Sequence, residues 1–305
     1  MAVADQEFLR TLPSPSEGGT RRSIGLQKFA RNNPLGVAGL AMVILLLLSA
    51  VFAPLVSPYN PLAVAPADRL LAPSASHLFG TDDIGRDILS RVIYGGRVSL
   101  EVGFITVILG TLVGATIGLV SGYLAGTTDT VIQRLLDSVQ SIPGLLLAIA
   151  IAAALGNGNV FGLFPLAIFP VAVVIVPINA RVVRSSVLSI REHAYIEAAR
   201  VIGCGNTRII LRHILPNVTA AILVLASIWV GNAIIIEASL SFLGLGTSPP
   251  TPSWGNMLAG QGRVYMEQAP WLAIFPGLAI TLTVLAFNLF GDALRDTWDP
   301  RLRGR

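Results

Sequence analysis

The sequence predicts an all-α polytopic membrane protein with six transmembrane helices and both termini in the cytoplasm. Three observations carry this. Only 12% of the residues are charged while 53% are hydrophobic, with a mean hydropathy of +0.71. A soluble chain carries roughly twice that share of charge. The apolar residues gather in uncharged runs that supply the ~20 residues an α-helix needs to cross a bilayer. The basic residues are placed unevenly. With six spans, Arg69, Arg86, Arg91, Arg97 and Arg263 fall on one side, and the other sixteen of the 21 Lys and Arg fall on the side of the two termini. The positive-inside tendency makes that side the cytoplasm.

Residues 1–33 are polar and turn-rich and read as a cytoplasmic tail. No charge occurs from Asn32 to Ala67, and the first span is placed at 35–56. That run is longer than the roughly 7–15 residues of a secretory h-region, so it is a retained helix. An external segment, 57–100, begins rich in proline. In it Asp82 or Asp83 is positioned to cap a short helix, with Ile88, Leu89, Val92 and Ile93 on one face and Arg86, Asp87 and Arg91 off it. This predicts an amphipathic helix lying in the membrane interface.

The second span is placed at 102–125, where Gly110, Gly114, Gly118 and Gly122 repeat at four-residue steps. Such a stripe lets helix backbones approach closely in lipid. Asp129, Arg134 and Asp137 are expected in a short loop with a local ion pair. The uncharged stretch from Ser138 to Ala180, 43 residues, exceeds one span. Gly156-Asn157-Gly158-Asn159 divides it into spans at 139–155 and 163–184, the second kinked by Pro165, Pro170 and Pro177. Two more spans follow, at 218–243 and 271–291, closing a membrane domain over 34–292 and leaving 293–305 as a second cytoplasmic tail.

Between the fourth and fifth spans lies a polar loop, 185–216. Val183, Val187, Ile190, Ala194, Ala198 and Val201 form a helical apolar stripe that leads into it. The helix is expected to stop at Gly203-Cys204-Gly205, where glycine takes the left-handed conformation, and Asn206 to cap a second short helix limited by Pro216. The loop thus presents a helix, a glycine turn and a helix to the cytoplasm.

The chemistry the sequence lacks is also informative. It has one cysteine, Cys204, hence no internal disulfide, and no CxxC, HExxH or GxxxxGK[ST] pattern. It carries no ATP-hydrolysing motif, so energy must come from another chain or an ion gradient. Of the polar residues within spans, Asn179, Asn232, Glu237 and Asn288 are the candidates for a pathway. Each either lines a pathway or makes a helix–helix hydrogen bond, worth on average only about 0.6 kcal/mol in lipid. A gradient-driven secondary transporter needs ionisable residues deep in several spans, and Glu237 is the single candidate.

The order Glu197-Ala198-Ala199, then Gly203, then Pro216 resembles the EAA loop of permease subunits of bacterial ABC importers. The stretches FGTDDIGRDILSRVIYGGRVSL (79–100), SLSFLGLG (239–246), WGNML (254–258) and NLFGDALRDTWDPRLR (288–303) look like the peptide/nickel branch, the DppC/OppC type of subunit. The resemblance implies a type I importer permease fold in the bacterial inner membrane, importing dipeptides or oligopeptides, with glutathione or a nickel chelate as the alternative cargo. It implies a second homologous permease subunit, two ATPase subunits holding ATP and Mg, and an extracytoplasmic binding protein. No cofactor on this chain and no nucleic acid are expected. Carried onto this sequence, Glu197, Ala198, Ala199 and Gly203 contact the ATPase, with Tyr195, Ile196 and Cys204 as neighbours.

Overall fold

The computed structural model describes residues 33–156, 159–160, 164–165 and 167–298. Helix α1 (Pro34–Val51) starts on a proline, whose fixed φ suits the first helical position. It is followed by the one-turn α2 (Ala53–Val56). One side of α1 seats against the last helix of the chain: a β-carbon at Gly39 would lie 2.7 Å from Leu289 Cβ. The other side leaves Leu45 and Leu48 exposed, as a lipid-facing helix does.

The external segment is tied together by buried charges. Asp82 accepts from the Arg86 backbone N–H (2.8 Å) and from Arg86 Nε (2.6 Å). Asp87 accepts from the Ser90 N–H and hydroxyl through Oδ2 and holds His77 Nδ1 at 2.9 Å through Oδ1. It is therefore Asp87, not Asp82 or Asp83, that caps the next helix.

That helix, α3 (Ile88–Leu124), runs 37 residues without a break. The separate interfacial helix expected at 88–93 does not exist; it is the first turns of the span itself. Gly95-Gly96 do not stop it, because the indole of Trp254 occupies the space beside them: added β-carbons would sit 3.3 and 2.8 Å from the ring. Deeper in the membrane the glycine stripe meets α6 (Ile168–Arg191). β-Carbons at Gly110, Gly114 and Gly122 would lie 2.8–2.9 Å from the β-carbons of Ile175, Asn179 and Val187, and one at Gly118 would lie 2.4 Å from the Ala180 carbonyl oxygen. The two helices touch backbone to backbone.

The loop expected at 129–137 is a helix, α4 (Gly126–Gln140), joined through Pro143 to α5 (Gly144–Leu155) at a bend of 84°. No ion pair forms within it. Asp129 pairs with Arg184, and Asp137 with Arg181, both on α6. Proline at 143 denies α5 its upstream hydrogen bonds, so the apolar run from 139 does not form one straight span. The expected glycine–asparagine break falls partly outside the described residues. Beyond it a two-residue antiparallel pair, β1 (Asn159–Val160) with β2 (Phe164–Pro165), precedes α6. Pro177 lies inside α6, which continues to Arg191.

The stripe from Val183 to Val201 is not one helix. His193 is extended (φ −79°, ψ 140°), and α7 (Ala194–Val201) starts afresh after it. The break resets the phase. Val183, Val187, Ile196 and Ala199 are buried, whereas Ala194, Ala198 and Val201 are exposed. Gly205, not Asn206, is the cap of α8 (Asn206–Ile209). A five-residue π turn, Ile210–Ile214, then leads into α9 (Leu215–Phe242). Two more helices close the chain: α10 (Trp254–Val264), which the sequence reading did not place, and α11 (Trp271–Trp298).

Among the described residues, five stretches are long and apolar enough to cross a membrane: α1, α3, α6, the run Asn206–Phe242 and α11; counted as one broken span, the bent pair α4–α5 makes six. The apolar core within the membrane joins α3, α6, α9 and α11 through Val107, Ile175, Val230, Ile234 and Phe287.

Candidate functional site: a glycine-turned hairpin and the polar span residues

The hairpin formed by α7, Gly203 and α8 is built on a second apolar cluster. Ile196 and Ala199 of α7 pack with Ile209 and Ile214 against Leu119, Tyr123, Val183 and Val187 of α3 and α6. These inward residues fix the hairpin to the ends of the two spans. Gly203 has φ +86°, in the region that side chains with a β-carbon rarely adopt, and it ends α7. Nothing lies within 4 Å of the position a β-carbon would take there.

The face turned away from this cluster carries Tyr195, Glu197, Ala198, Val201, Ile202 and Gly203, all exposed. Val201 and Ile202 are 87% and 79% exposed, far more than a free aqueous surface favours for two adjoining β-branched side chains. Neither was singled out from the sequence, because the uninterrupted stripe assigned Val201 to the buried side. Of the seven positions singled out there, Glu197, Ala198, Gly203 and Tyr195 share this outer face. Ile196 and Ala199 are inside, and Cys204 is half-buried against the cluster.

The four polar span residues separate into two kinds. Asn179 and Glu237 are fully buried within the chain. Asn179 Nδ2 donates to Thr111 Oγ1 at 2.9 Å, joining α6 to α3. Glu237 Oε1 accepts from Ser241 at 2.7 Å, and the hydroxyls of Ser99 and Thr247 lie beside the same carboxylate. Ser241 in turn accepts from the Thr247 N–H (3.1 Å), and Ser99 from the Trp254 N–H (3.2 Å), so this carboxylate secures the external loop and α10 to α3. Asn232 and Asn288, in contrast, are exposed on α9 and α11. Near the external end, a cleft of about 540 Å³ opens between the external segment and the loop after α9, with Tyr59, Tyr94 and Pro252 in its wall.

Comparison with known proteins gives consistent results. Residues 114–304 match the family described as "Binding-protein-dependent transport system inner membrane component", and residues 26–73 match the "N-terminal TM domain of oligopeptide transport permease C". The dipeptide transport system permease protein DppC of Alkalihalophilus pseudofirmus is 44% identical, over 95% of this chain and 94% of that protein. The glutathione transport system permease protein GsiD of Pectobacterium atrosepticum is 45% identical over 91% and 90% of the two chains. The probable D,D-dipeptide transport system permease protein DdpC of Escherichia coli is 40% identical over 90% of each. Among solved structures, a chain of the inward-facing MetNI methionine ABC transporter superposes with a TM-score of 0.56 at 18% identity, over 68% of this chain and 96% of that one. That likeness concerns the fold alone.

Proposed function

Because this chain belongs to the family of binding-protein-dependent transport system inner membrane components, we propose that it is a permease subunit of an ATP-driven peptide importer, with the α7–α8 hairpin as the seat of an ATPase subunit. It is a multi-pass protein of the bacterial inner membrane and a transport component. The hydrolysis that drives it belongs to partner chains: two ATPase subunits on the cytoplasmic side, together with a second permease and an external binding protein that delivers cargo. Both termini and the hairpin lie in the cytoplasm, as the distribution of basic residues favours.

The observation that carries the docking role is the exposed pair Val201–Ile202, next to Glu197 and Ala198, on a hairpin whose opposite face is buried. An apolar tip outside the spans and on a rigid base is what a partner's groove covers. Glu197 offers the groove a charged acceptor, and Ala198 permits close approach. In operation, ATP binding would draw the two ATPase subunits together and carry the docked hairpins with them. The packing of the spans would then pass from inward-open to outward-open. Asn232 and Asn288 support a second chain and a wet pathway. An amide exposed to hydrocarbon leaves hydrogen-bonding groups unsatisfied, so these faces of α9 and α11 meet water or the second permease.

Peptides are the favoured cargo because the relatives include dipeptide and D,D-dipeptide permeases. The glutathione permease at 45% identity keeps a modified tripeptide as the second choice. The experiment is purification of the tagged chain with its native partners, beside Glu197→Arg and Val201→Glu variants, followed by uptake of labelled dipeptide and glutathione into vesicles. An ATPase subunit retained by the intact chain and lost from both variants is the expected result. Retention by both variants would overturn the docking role, and uptake of neither solute would overturn the cargo.

A further inference from the structure

At the C-terminal end of α3 the hairpin is fastened by polar bonds that its role in docking does not require. Tyr123, the penultimate residue of α3 and 7% exposed, holds both limbs at once. Its hydroxyl donates to Asn206 Oδ1 of α8 at 2.9 Å, and its ring lies 5.5 Å beneath the Arg200 guanidinium of α7. Beside it, Arg191 Nη1 donates to the Gly122 carbonyl at 3.3 Å.

Two residues before Tyr123, the Ser121 hydroxyl donates to Asp129 Oδ1, and Gln133 Nε2 donates to Ser121 Oγ at 3.0 Å. Asp129, the buried carboxylate of α4, is gripped from α6 by Arg184 in a bidentate fork, Nε to Oδ1 at 2.6 Å and Nη2 to Oδ2. A fork of this kind fixes orientation as well as distance. Arg181 of α6 holds Asp137 further along α4. The glycine face between α3 and α6 leaves no slack beneath these bonds.

The geometry points to a polar collar around the end of α3, made of Tyr123, Asp129 and Arg184, that joins the hairpin, α3, α4 and α6 into a single moving body and so couples ATP hydrolysis to the spans. This rests on the hairpin's reading as the ATPase seat. The other way out of the hairpin, into α9, passes through the π turn at 210–214 and then Pro216. That turn lacks regular i→i−4 bonding and is suited to bend. A displacement of the hairpin is therefore delivered to α3, α4 and α6, with the π turn as the joint. Tyr123, Asp129 and Arg184 are positioning residues: they touch neither nucleotide nor cargo.

The test uses the whole transporter, reconstituted in vesicles with its second permease, ATPase subunits and binding protein, with ATP hydrolysis and dipeptide uptake measured in parallel. Asp129→Asn and Arg184→Gln are expected to keep the ATPase bound and hydrolysing while uptake per ATP falls about tenfold, the size of one charge-assisted hydrogen bond in a two-state equilibrium. Asp129→Arg combined with Arg184→Asp should recover most of that ratio. Tyr123→Phe, which keeps the ring and removes only the bond to Asn206, should lower the ratio by a smaller factor, and it supplies the same measurement if Asp129→Asn does not accumulate. An unchanged ratio in these variants overturns the collar, as does a fall in assembled complex with the ratio intact. If the intact chain retains no ATPase, the docking reading fails and the collar fails with it. If the ATPase is retained and the ratio is unmoved, the collar alone fails.

Discussion

Gly118→Ala places one methyl group where α3 meets α6. The new β-carbon would stand 2.4 Å from the Ala180 carbonyl oxygen, 2.9 Å from Val183 Cβ and 3.0 Å from the Arg184 backbone nitrogen. Two of these neighbours are helix backbone and cannot swing aside. Reaching even the 3.4 Å of ordinary contact moves the helices apart by about 1 Å at this level. Overpacking of this kind costs about 1–3 kcal/mol, and the unyielding neighbours put it near the top of that range. Alanine's better helix propensity returns about 0.5–1 kcal/mol, leaving a net loss of about 2 kcal/mol. Gly260→Ala in α10 is the control, since nothing lies within 4 Å of its β-carbon position and only the propensity gain applies. The assay is the midpoint of heat-induced loss of the monodisperse peak on size exclusion, in one detergent, for both variants and the parent. Gly118→Ala should fall below the parent by several degrees, while Gly260→Ala should match or exceed it. A midpoint for Gly118→Ala equal to that of Gly260→Ala would refute the close packing of α3 on α6.

Gly203→Asp forces a β-carbon into φ +86°, a strain of roughly 1–2 kcal/mol confined to the hairpin tip; membrane insertion should persist while uptake is lost, as immunoblot and transport assays would report. Asp83 lies outside the spans, and burial, reinforced by the neighbouring Asp82, raises its pKa from 3.8 against the opposing pull of Arg86. The folded state thus holds this proton more tightly than the unfolded one, so its contribution to stability is full below 3.8 and is lost as pH rises through the raised folded value. Asp83→Asn should therefore be at least as stable as the parent at pH 7, with the difference shrinking towards pH 4 in thermal scans. Thr111→Val leaves the Asn179 amide buried without its acceptor; combining it with Asn179→Leu should cost no more than either change alone, and additive losses in a double-mutant cycle would count against the α3–α6 hydrogen bond.

The spans were legible because lipid imposes one simple requirement, a long uncharged helix, and the glycine stripe announced a close approach without saying to which helix. What escaped the sequence depends on contacts between distant residues. Trp254, far along the chain, lays its indole beside Gly95-Gly96 of α3 and donates to the Val92 carbonyl. Asp129 and Asp137 looked like members of a local pair, yet their arginines stand 55 and 44 positions away. The phase of the hairpin was misjudged for a local reason: a single extended residue, His193, decides whether Val201 is inside or outside. The sequence does carry a local signal for α10. Ser253 and Asn256, three residues apart, each accept from the other's backbone N–H, the reciprocal bonding of a capping box.

At 37 residues, α3 is about 55 Å long at the ~1.5 Å rise of an α-helix, nearly twice the ~30 Å of hydrocarbon it crosses. One end is nailed by Asp87 and its external neighbours, the other by Tyr123 and the hairpin. A single residue inserted or deleted between them would turn one end against the other by about 100°, pointing Tyr123 away from Asn206 or the glycines away from α6. The length of this helix is therefore a fixed dimension, like the shaft of a key, and engineered fusions or insertions do not belong between Ile88 and Leu124.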